Sequence, residues 1–488
     1  MEFTMDMAIV YQVVWGLIVI NTIGAFITVF RKPRSIASVL AWMMTLIFLP
    51  GVGFILYAFC GRGIDGEIIY RFSEGHQNRI AEINEIIEEN NRYFHQTVKT
   101  KESELLKNYF RNMEESPLTK GNAVTFYTDG KEKFDALFED IRHAKDNVHV
   151  EYYAFFDDKI GNRFLDLLVE KAKEGVEVRV VFDPWGGKTN EKFFRPLIKA
   201  GGKVAPFITS RNLIRKTRLN YHLHRKIVVI DGMIGWTGGF NVGDQYLEET
   251  KKFGYWRDTH ARIVGTASFT LQEVFIRDWN ASILKEEDVL EYEDRYFVVP
   301  PIEQAGNVSM QVVADGPETE EQVLKGGFTK ILLAAEKRVW LQTPYLIPDD
   351  AMINAFLVAV RSGVDIRVMI PSMPDHPFIY RATQYYANYL QRRGVKIYIY
   401  EGGFIHAKTI VMDDTIAAFG TTNQDIRSYA LNFEVSAFAY NREIAEELAE
   451  IFEEDMKQSS LLTDRMIKEQ SYWLRFKQNF SRLLSPIL

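Results

Sequence analysis

The sequence predicts an α/β protein: two tandem α/β units preceded by an N-terminal transmembrane helical hairpin. Three observations carry that expectation. Two long uncharged stretches open the chain, and strand-like and helical runs alternate from about residue 120. One polar triplet is written twice, in HLHRKIVVIDG at 222–232 and in FIHAKTIVMDD at 404–414. With 488 residues, 47% hydrophobic and 25% charged, the chain has enough apolar surface for two or three folded domains. A net charge of −7 argues against a general nucleic-acid binder, which carries a basic excess. The one cysteine, Cys60, has no partner for an intrachain disulfide and is too few for a cysteine-built metal centre.

Ala8 to Phe30 runs for 23 residues without a charge and Ser35 to Cys60 for 26 more, with RKPR between them. Each exceeds the roughly 20 residues that cross a bilayer. Pro50, Gly51 and Gly53 interrupt the second stretch, which membrane helices tolerate as a kink. Glu2 and Asp6 stand where a cleaved signal peptide has a basic start, and a second apolar run follows at once. Residues 1–61 are therefore expected to be a retained hairpin, with segments at about 8–30 and 35–60, making a multi-pass cell-membrane protein. Arg31, Lys32 and Arg34 in the loop balance Arg62, Arg71 and Arg79 beyond it, so the charge rule leaves sidedness open. The catalytic units are placed on the cytoplasmic side. Residues 62–118, rich in charge and helix formers, are expected to be a helical connector lifting those units off the membrane.

The first unit, 119–300, opens with VTFYT, NVHVEYYAF, the amphipathic GNRFLDLLVEKAKEG and VEVRVVFD, an order that implies βαβ connections in a parallel or mixed sheet. The second, 301–460, repeats it with VWLQTPYL, AMINAFLVAVRSG and VDIRVMIP. KAKEGVEVRVVF and AVRSGVDIRVMI lie 188 residues apart (363 minus 175), and the triplets 182 apart (406 minus 224). A whole unit is duplicated. The amphipathic tail, 461–488, mixes Trp, Phe and Leu with Arg and Lys, a pattern shared by interfacial segments and by helices packed on a domain.

The triplets are His224, Lys226, Asp231 and His406, Lys408, Asp413. In a strand, residues i and i+2 share a face, so each His and Lys pair projects together. Asp231 and Asp413 fall at odd spacing, which turns them to the other face or ends the strand, as braces. After each comes a turn ending in asparagine, Gly238-Gly239-Phe240-Asn241 and Gly420-Thr421-Thr422-Asn423, whose amide can donate to an oxyanion. Asp258 in WRDTHARIVG and Glu434 in LNFEVSAFAY lie 34 and 28 residues past their respective histidines. A carboxylate there can hold the second ring nitrogen of a catalytic His. One chance match to H-x-K-x4-D is expected roughly 0.03 times per chain, so two with the same sequel point to function. The basic run with Arg211, Arg215, Lys216 and Arg218 fits either an anionic head-group patch or a solvated loop.

These segments resemble the two HKD motifs of the phospholipase D superfamily. The hairpin, the WRD segment, RSYALNFE and the terminal SRLLSPIL together resemble the bacterial cardiolipin synthase family over essentially the whole chain. The resemblance implies two phospholipase D-like units in a pseudo-twofold pair sharing one site, with all six triplet residues assigned to catalysis. It implies transfer of a phosphatidyl group between two phosphatidylglycerol molecules, giving cardiolipin and glycerol through a phosphatidyl-histidine. His224 would be the nucleophile and His406 the acid and base, although the residues themselves are symmetric. Lys226, Lys408, Asn241 and Asn423 would surround the non-bridging oxygens, so that no metal or cofactor is required. The implied partners are phosphatidylglycerol, cardiolipin and the lipid membrane, not nucleic acid. One departure stands out: the Ser common after the motif's first Gly is Gly239 here and Thr421 in the second copy. The rival readings are a phospholipase D-type phosphodiesterase, with water attacking the intermediate, and an inactive membrane scaffold, against which two complete triplets argue.

Overall fold

The computed structural model describes residues 7–31, 36–49, 52–57, 74–95, 98–111, 113, 115–207, 221–247, 250–283, 285–319 and 321–485. Helices α1 (Met7–Arg31) and α2 (Ile36–Phe48) meet through a small apolar cluster of Val29, Leu46 and Tyr57. Among the described residues no helix is long and apolar enough to cross a membrane. Lys32, Arg34, Arg62 and Arg71 of the sidedness count, and the basic patch Arg211, Arg215, Lys216 and Arg218, lie outside the described residues.

The expected connector contains α3 (Glu74–Asn91) and α4 (Lys101–Phe110), and it does not act as a spacer. Ile80, Ile83 and Ile87 recur at helical spacing and bury against Phe275 and Trp279 of the first unit. Leu106 and Phe110 enter the core of the second, where the rings of Phe110 and Phe438 lie 4.7 Å apart. An apolar stripe at three- and four-residue spacing inside a charged segment is the mark of a docked helix, and it straps both units together.

The first unit comprises β1 (Thr119–Tyr127), α5 (Gly130–His143), β2 (Asn147–Tyr152), α6 (Lys159–Lys173), β3 (Glu177–Phe182), β4 (Lys203–Pro206), β5 (Lys226–Ile230), β6 (Ile234–Gly238), β7 (His260–Val264) and α7 (Ser268–Ser282). The second comprises β8 (Val308–Asp315), α8 (Val323–Ala334), β9 (Arg338–Gln342), α9 (Asp350–Arg361), β10 (Asp365–Pro371), α10 (Pro377–Gln391), β11 (Lys396–Tyr400), β12 (Thr409–Met412), β13 (Ile416–Gly420), α11 (Ile426–Ala430), β14 (Asn432–Tyr440), α12 (Arg442–Met456) and β15 (Ser459–Leu461). Helix α13 (Tyr472–Leu483) follows.

Local chemistry explains the repeat. Asp158 caps α6 by accepting the Gly161 N–H at 3.0 Å, and Asp349 caps α9 by accepting that of Met352 at 2.9 Å. Beyond the two helices Gly175 and Gly363 take left-handed φ values of 93° and 91°, so KAKEG and AVRSG are one helix end in two copies. Ile160, Phe164, Leu167 and Leu168 form the buried stripe of α6.

One sixteen-stranded sheet carries both units. Its main path runs β15-β11-β10-β9-β12-β13-β14-β8-β1-β7-β6-β5-β2-β3-β4. Read outward from the middle, both halves have the same order, and β1 and β8 meet there as antiparallel neighbours. That arrangement is a pseudo-twofold. Within each unit the crossover strands are parallel (β2-β3-β4 and β9-β10-β11) and the site strands antiparallel, so the sheet is mixed. One face buries a cluster drawn from both units, with Ile227, Met310, Trp340 and Val411, beneath Leu271 and Val274 of α7 and Leu448 and Phe452 of α12.

The motif aspartates are not at the histidines. Asp231 lies past the far end of β5, at φ 50°, and accepts the backbone N–H groups of Lys145, Asp146 and Asn147 at 2.8 to 3.1 Å. Asp413, at φ 49°, accepts those of Glu336, Lys337 and Arg338 at 2.7 to 2.8 Å. A strand of five residues in the first copy and four in the second, roughly 13 to 17 Å long, separates each from its histidine. Grouping these two residues with the catalytic ones is corrected: they clamp the turns that feed β2 and β9. Asp231→Ala should cost about 1 to 3 kcal/mol in urea denaturation, because charge-assisted bonds are lost, while kcat per folded molecule is kept.

Candidate active site

Each motif histidine sits where its strand breaks. His222–Leu223 form a short strand that pairs with Asn432–Phe433 of the second unit, and the His224 N–H donates to the Phe433 carbonyl at 2.9 Å. Reciprocally, Phe404–Ile405 pair with Trp256–Arg257 of the first unit, and the His406 N–H donates to the Arg257 carbonyl at 2.7 Å. The expected unbroken strand from His to Lys is therefore interrupted, because each histidine is anchored to the opposite unit. The two residues still meet: Lys226 Nζ donates to the His224 carbonyl at 2.7 Å, and Lys408 Nζ to that of His406.

The side chains cross as the backbones do. His224 Nδ1 lies 2.8 and 2.9 Å from the Glu434 carboxylate oxygens, and His406 Nδ1 lies 2.7 Å from Asp258. Each histidine is thus held by a carboxylate of the other half, not by the one that follows it in its own. At His224, Nδ1 donating to the carboxylate leaves the lone pair on Nε2, the nitrogen available for chemistry; His406 Nδ1 lies between Asp258 and Lys408 Nζ, the latter at 2.8 Å, which likewise leaves Nε2 facing the reaction.

Electrostatics shows how tightly the groups converge. Burial pushes His224 down to about 4, against the pull of Glu434, and Lys226 and Lys408 both push it the same way. His406 is lowered by burial and by both lysines. Burial brings Lys226 to about 7 and Lys408 to about 8. Burial alone would raise the two carboxyls, but Lys408 and His406 outweigh it at Asp258, and His224 and Lys226 at Glu434, so both stay below the usual range. With the histidines neutral, the lysines and carboxylates balance, and a bound phosphodiester would add the negative charge that favours protonated lysines and an imidazolium.

The asparagine turns close the site from both sides. Asn241 accepts the Ala154 N–H at 3.2 Å and donates to Tyr246 Oη at 3.1 Å, leaving one amide hydrogen. Asn423 is equally buried, and its Oδ1 has no hydrogen-bond partner among the described residues. The departure from Ser has a structural cause in each half. A Cβ at Gly239 would lie 1.9 Å from Asp258 Oδ1, so only glycine lets that carboxylate reach His406. Thr421 instead donates its hydroxyl to Glu434 at 2.5 Å, which directs it to the brace of His224 and away from phosphate.

Three flanking rings escaped the sequence reading. Tyr153 lies 5.4 Å from the His224 ring, Trp256 5.3 Å and Tyr345 6.5 Å from that of His406. Trp256 stands two residues before Asp258 in WRD, a signal that could have found it, whereas Tyr153 and Tyr345 sit in ordinary strand-end sequence.

Two family models match the chain: "Cardiolipin synthase, PLD-like domain" over 137–279 and 328–456, and "Phospholipase_D-nuclease N-terminal" over 19–62. Cardiolipin synthase from Listeria monocytogenes is 44% identical over 477 residues, 97% of this chain and 98% of that protein. The Staphylococcus aureus cardiolipin synthase is 42% identical over 483 residues, 97% of this chain and 96% of its own. Among solved structures, phosphatidylserine synthase from Haemophilus influenzae superposes with a TM-score of 0.59 at 15% identity, covering 79% of this chain and all of its own, which is a likeness of fold.

Two measurements follow from this geometry. kcat/KM reports groups of the free enzyme, so it should fall below about pH 4, as His224 takes up a proton. It should fall again as the pH rises, first as His406, held below the ordinary imidazole value, loses the proton of its acid role, then above about pH 7 to 8 as Lys226 and Lys408 lose theirs. Gly239→Ala should lower kcat about a hundredfold per folded molecule, because it displaces Asp258 from His406, and should also lower the melting temperature, because a buried carboxylate loses its partner.

Proposed function

The chain belongs to the phospholipase D-like cardiolipin synthase family, and on that premise we propose how its two halves divide the work of joining two phosphatidylglycerol molecules into cardiolipin. The enzyme is a phosphatidyltransferase. The observation that carries the division of labour is the crossed bracing of the two histidines, which gives one cleft two imidazoles with Nε2 available and two buried lysines between them.

His224 is neutral across the physiological range, as a nucleophile must be. Its Nε2 attacks the phosphorus of the first phosphatidylglycerol, and the bond to the glycerol oxygen breaks. His406, as imidazolium, gives its Nε2 proton to that oxygen and glycerol leaves. Asp258 and the anionic phosphate together favour that imidazolium. The head-group hydroxyl of a second phosphatidylglycerol then passes its proton to His406 and attacks phosphorus, which breaks the P–N bond and restores His224. Lys226, Lys408 and the amides of Asn241 and Asn423 hold the non-bridging oxygens, where charge is placed before the reaction begins. Tyr153, Trp256 and Tyr345 wall the site and limit competing water. Asp231 and Asp413 have no part in these steps.

The membrane hairpin of residues 1–61, with the catalytic units on the cytoplasmic side, completes the reading. It is supported by the family match over 19–62 and by apolar side chains that α1 turns outward, including Tyr11, Trp15, Ile20 and Ile23.

His224→Ala and His406→Ala should each abolish turnover while the chain stays folded by circular dichroism; near wild-type activity in either would end the shared-site account. Turnover should also survive exhaustive chelation in a lipid mixture whose packing does not depend on divalent ions. Transfer and hydrolysis are separated by isotope-labelled glycerol added in excess to cardiolipin. A transferase returns the label in phosphatidylglycerol, and His224→Ala does not. If phosphatidic acid dominates and no label is incorporated, the protein is a hydrolase.

A further inference from the structure

Helix α13 is built inside out. Its buried residues are polar: Gln478 and Ser481 face the protein, Asn388 of α10 donates to Gln478 Oε1 at 3.3 Å, and just beyond the helix Tyr386 Oη meets Ser485 Oγ at 3.4 Å. Its outer face is aromatic. Trp473, Phe476 and Phe480 are 65%, 57% and 47% exposed. They stack along the helix with ring separations of 5.3 and 6.3 Å. Tyr472 and Leu483 extend the stripe at either end, both exposed. A helix docked for its own stability buries its apolar face, so packing on α10 does not account for this one.

We propose that α13 is an interfacial helix that lays its aromatic face into the head-group region of an anionic phospholipid bilayer and so seats the catalytic cleft against its substrate surface. The inference rests on the lipid-substrate reading above. Two features select this occupant. The first is charge: α13 carries Arg475, Lys477 and Arg482 and no acidic residue, in a chain whose net charge of −7 would otherwise oppose approach to an anionic surface. The second is continuity with the cleft. α13 runs antiparallel to α10, with Gln478 beside Asn388 and the Arg482 guanidinium 4.9 Å from the Tyr385 ring. Its C-terminal end therefore points to the start of α10, where exposed Phe378 stands about two helical turns before Tyr385. That start follows Asp375, which holds the Tyr345 hydroxyl beside His406. From the first unit, exposed Trp185 stands next to the loop where Asp183 accepts the Leu223 N–H at 3.1 Å, adjoining His224. Outward aromatics thus border the cleft in both halves.

The test uses the full chain with Cys60→Ser and Phe476→Cys, the new thiol carrying an environment-sensitive fluorophore, reconstituted in vesicles of phosphatidylglycerol and phosphatidylcholine. Quenching by brominated lipid with protection from aqueous iodide supports the proposal. Quenching by iodide alone overturns it, and protection from both overturns it in favour of a second copy of the chain covering the face. The readout needs no turnover, so it stands or falls apart from the transferase reading. In parallel, the triple variant W473S/F476S/F480S should lose at least about tenfold in turnover of vesicle phosphatidylglycerol while keeping turnover of a short-chain, monomeric form. Equal loss on both substrates, or on neither, rejects a docking role.

Discussion

The crossed histidine–carboxylate pairs are the constraint on which the rest of the structure depends. A buried imidazole left to itself can turn its ring or exchange its tautomer; held at 2.7 to 2.9 Å by a carboxylate with no solvent exposure, it keeps one orientation. Because Glu434 and Asp258 come from opposite halves, neither unit can orient its own histidine. The central antiparallel pair of β1 and β8, the shared core beneath α7 and α12, and the short pairings of 222–223 with 432–433 and of 404–405 with 256–257 all maintain that crossed registration.

The same crossing accounts for the electrostatics. With both histidines neutral, the two lysines are balanced by the two carboxylates, and burial still brings Lys226 and Lys408 to about 7 and 8. Holding two ammonium groups away from water costs stability, and an anion bound beside them offsets that cost, so the donors for the phosphate are in place before it arrives.

Much of this was legible in the sequence, for physical reasons. The duplicated unit showed because helix caps, left-handed glycines and strand runs leave local patterns, and KAKEG and AVRSG are the same helix terminus. The candidate residues at the two histidines, lysines, asparagines and carboxylates were visible because one spacing recurred with one chemistry. The crossing was not visible, since offsets of 34 and 28 residues look alike whether a carboxylate serves its own histidine or the other. The break at His224 hid inside a run that reads as one strand, and it exists only because a partner strand from the other half is there to pair with. The connector misled because its apolar stripe of Ile80, Ile83 and Ile87 is narrow and set among glutamates. The aromatic excess of the tail was evident, but which face it occupied depended on α10.

The seam at β1 and β8 bears on ancestry. A single unit of this topology would end in an open strand edge, and the natural way to close such an edge is against a second copy of itself. Twofold symmetry would then bring the carboxylate of each subunit to the histidine of its mate, so an ancestral homodimer would have had two equal half-sites and no means of giving them different tasks. Joining two such copies in one reading frame would remove that obligation. Gly239 and Thr421, equivalent positions, serve Asp258 and Glu434 in different ways, so the two halves are not held to one solution.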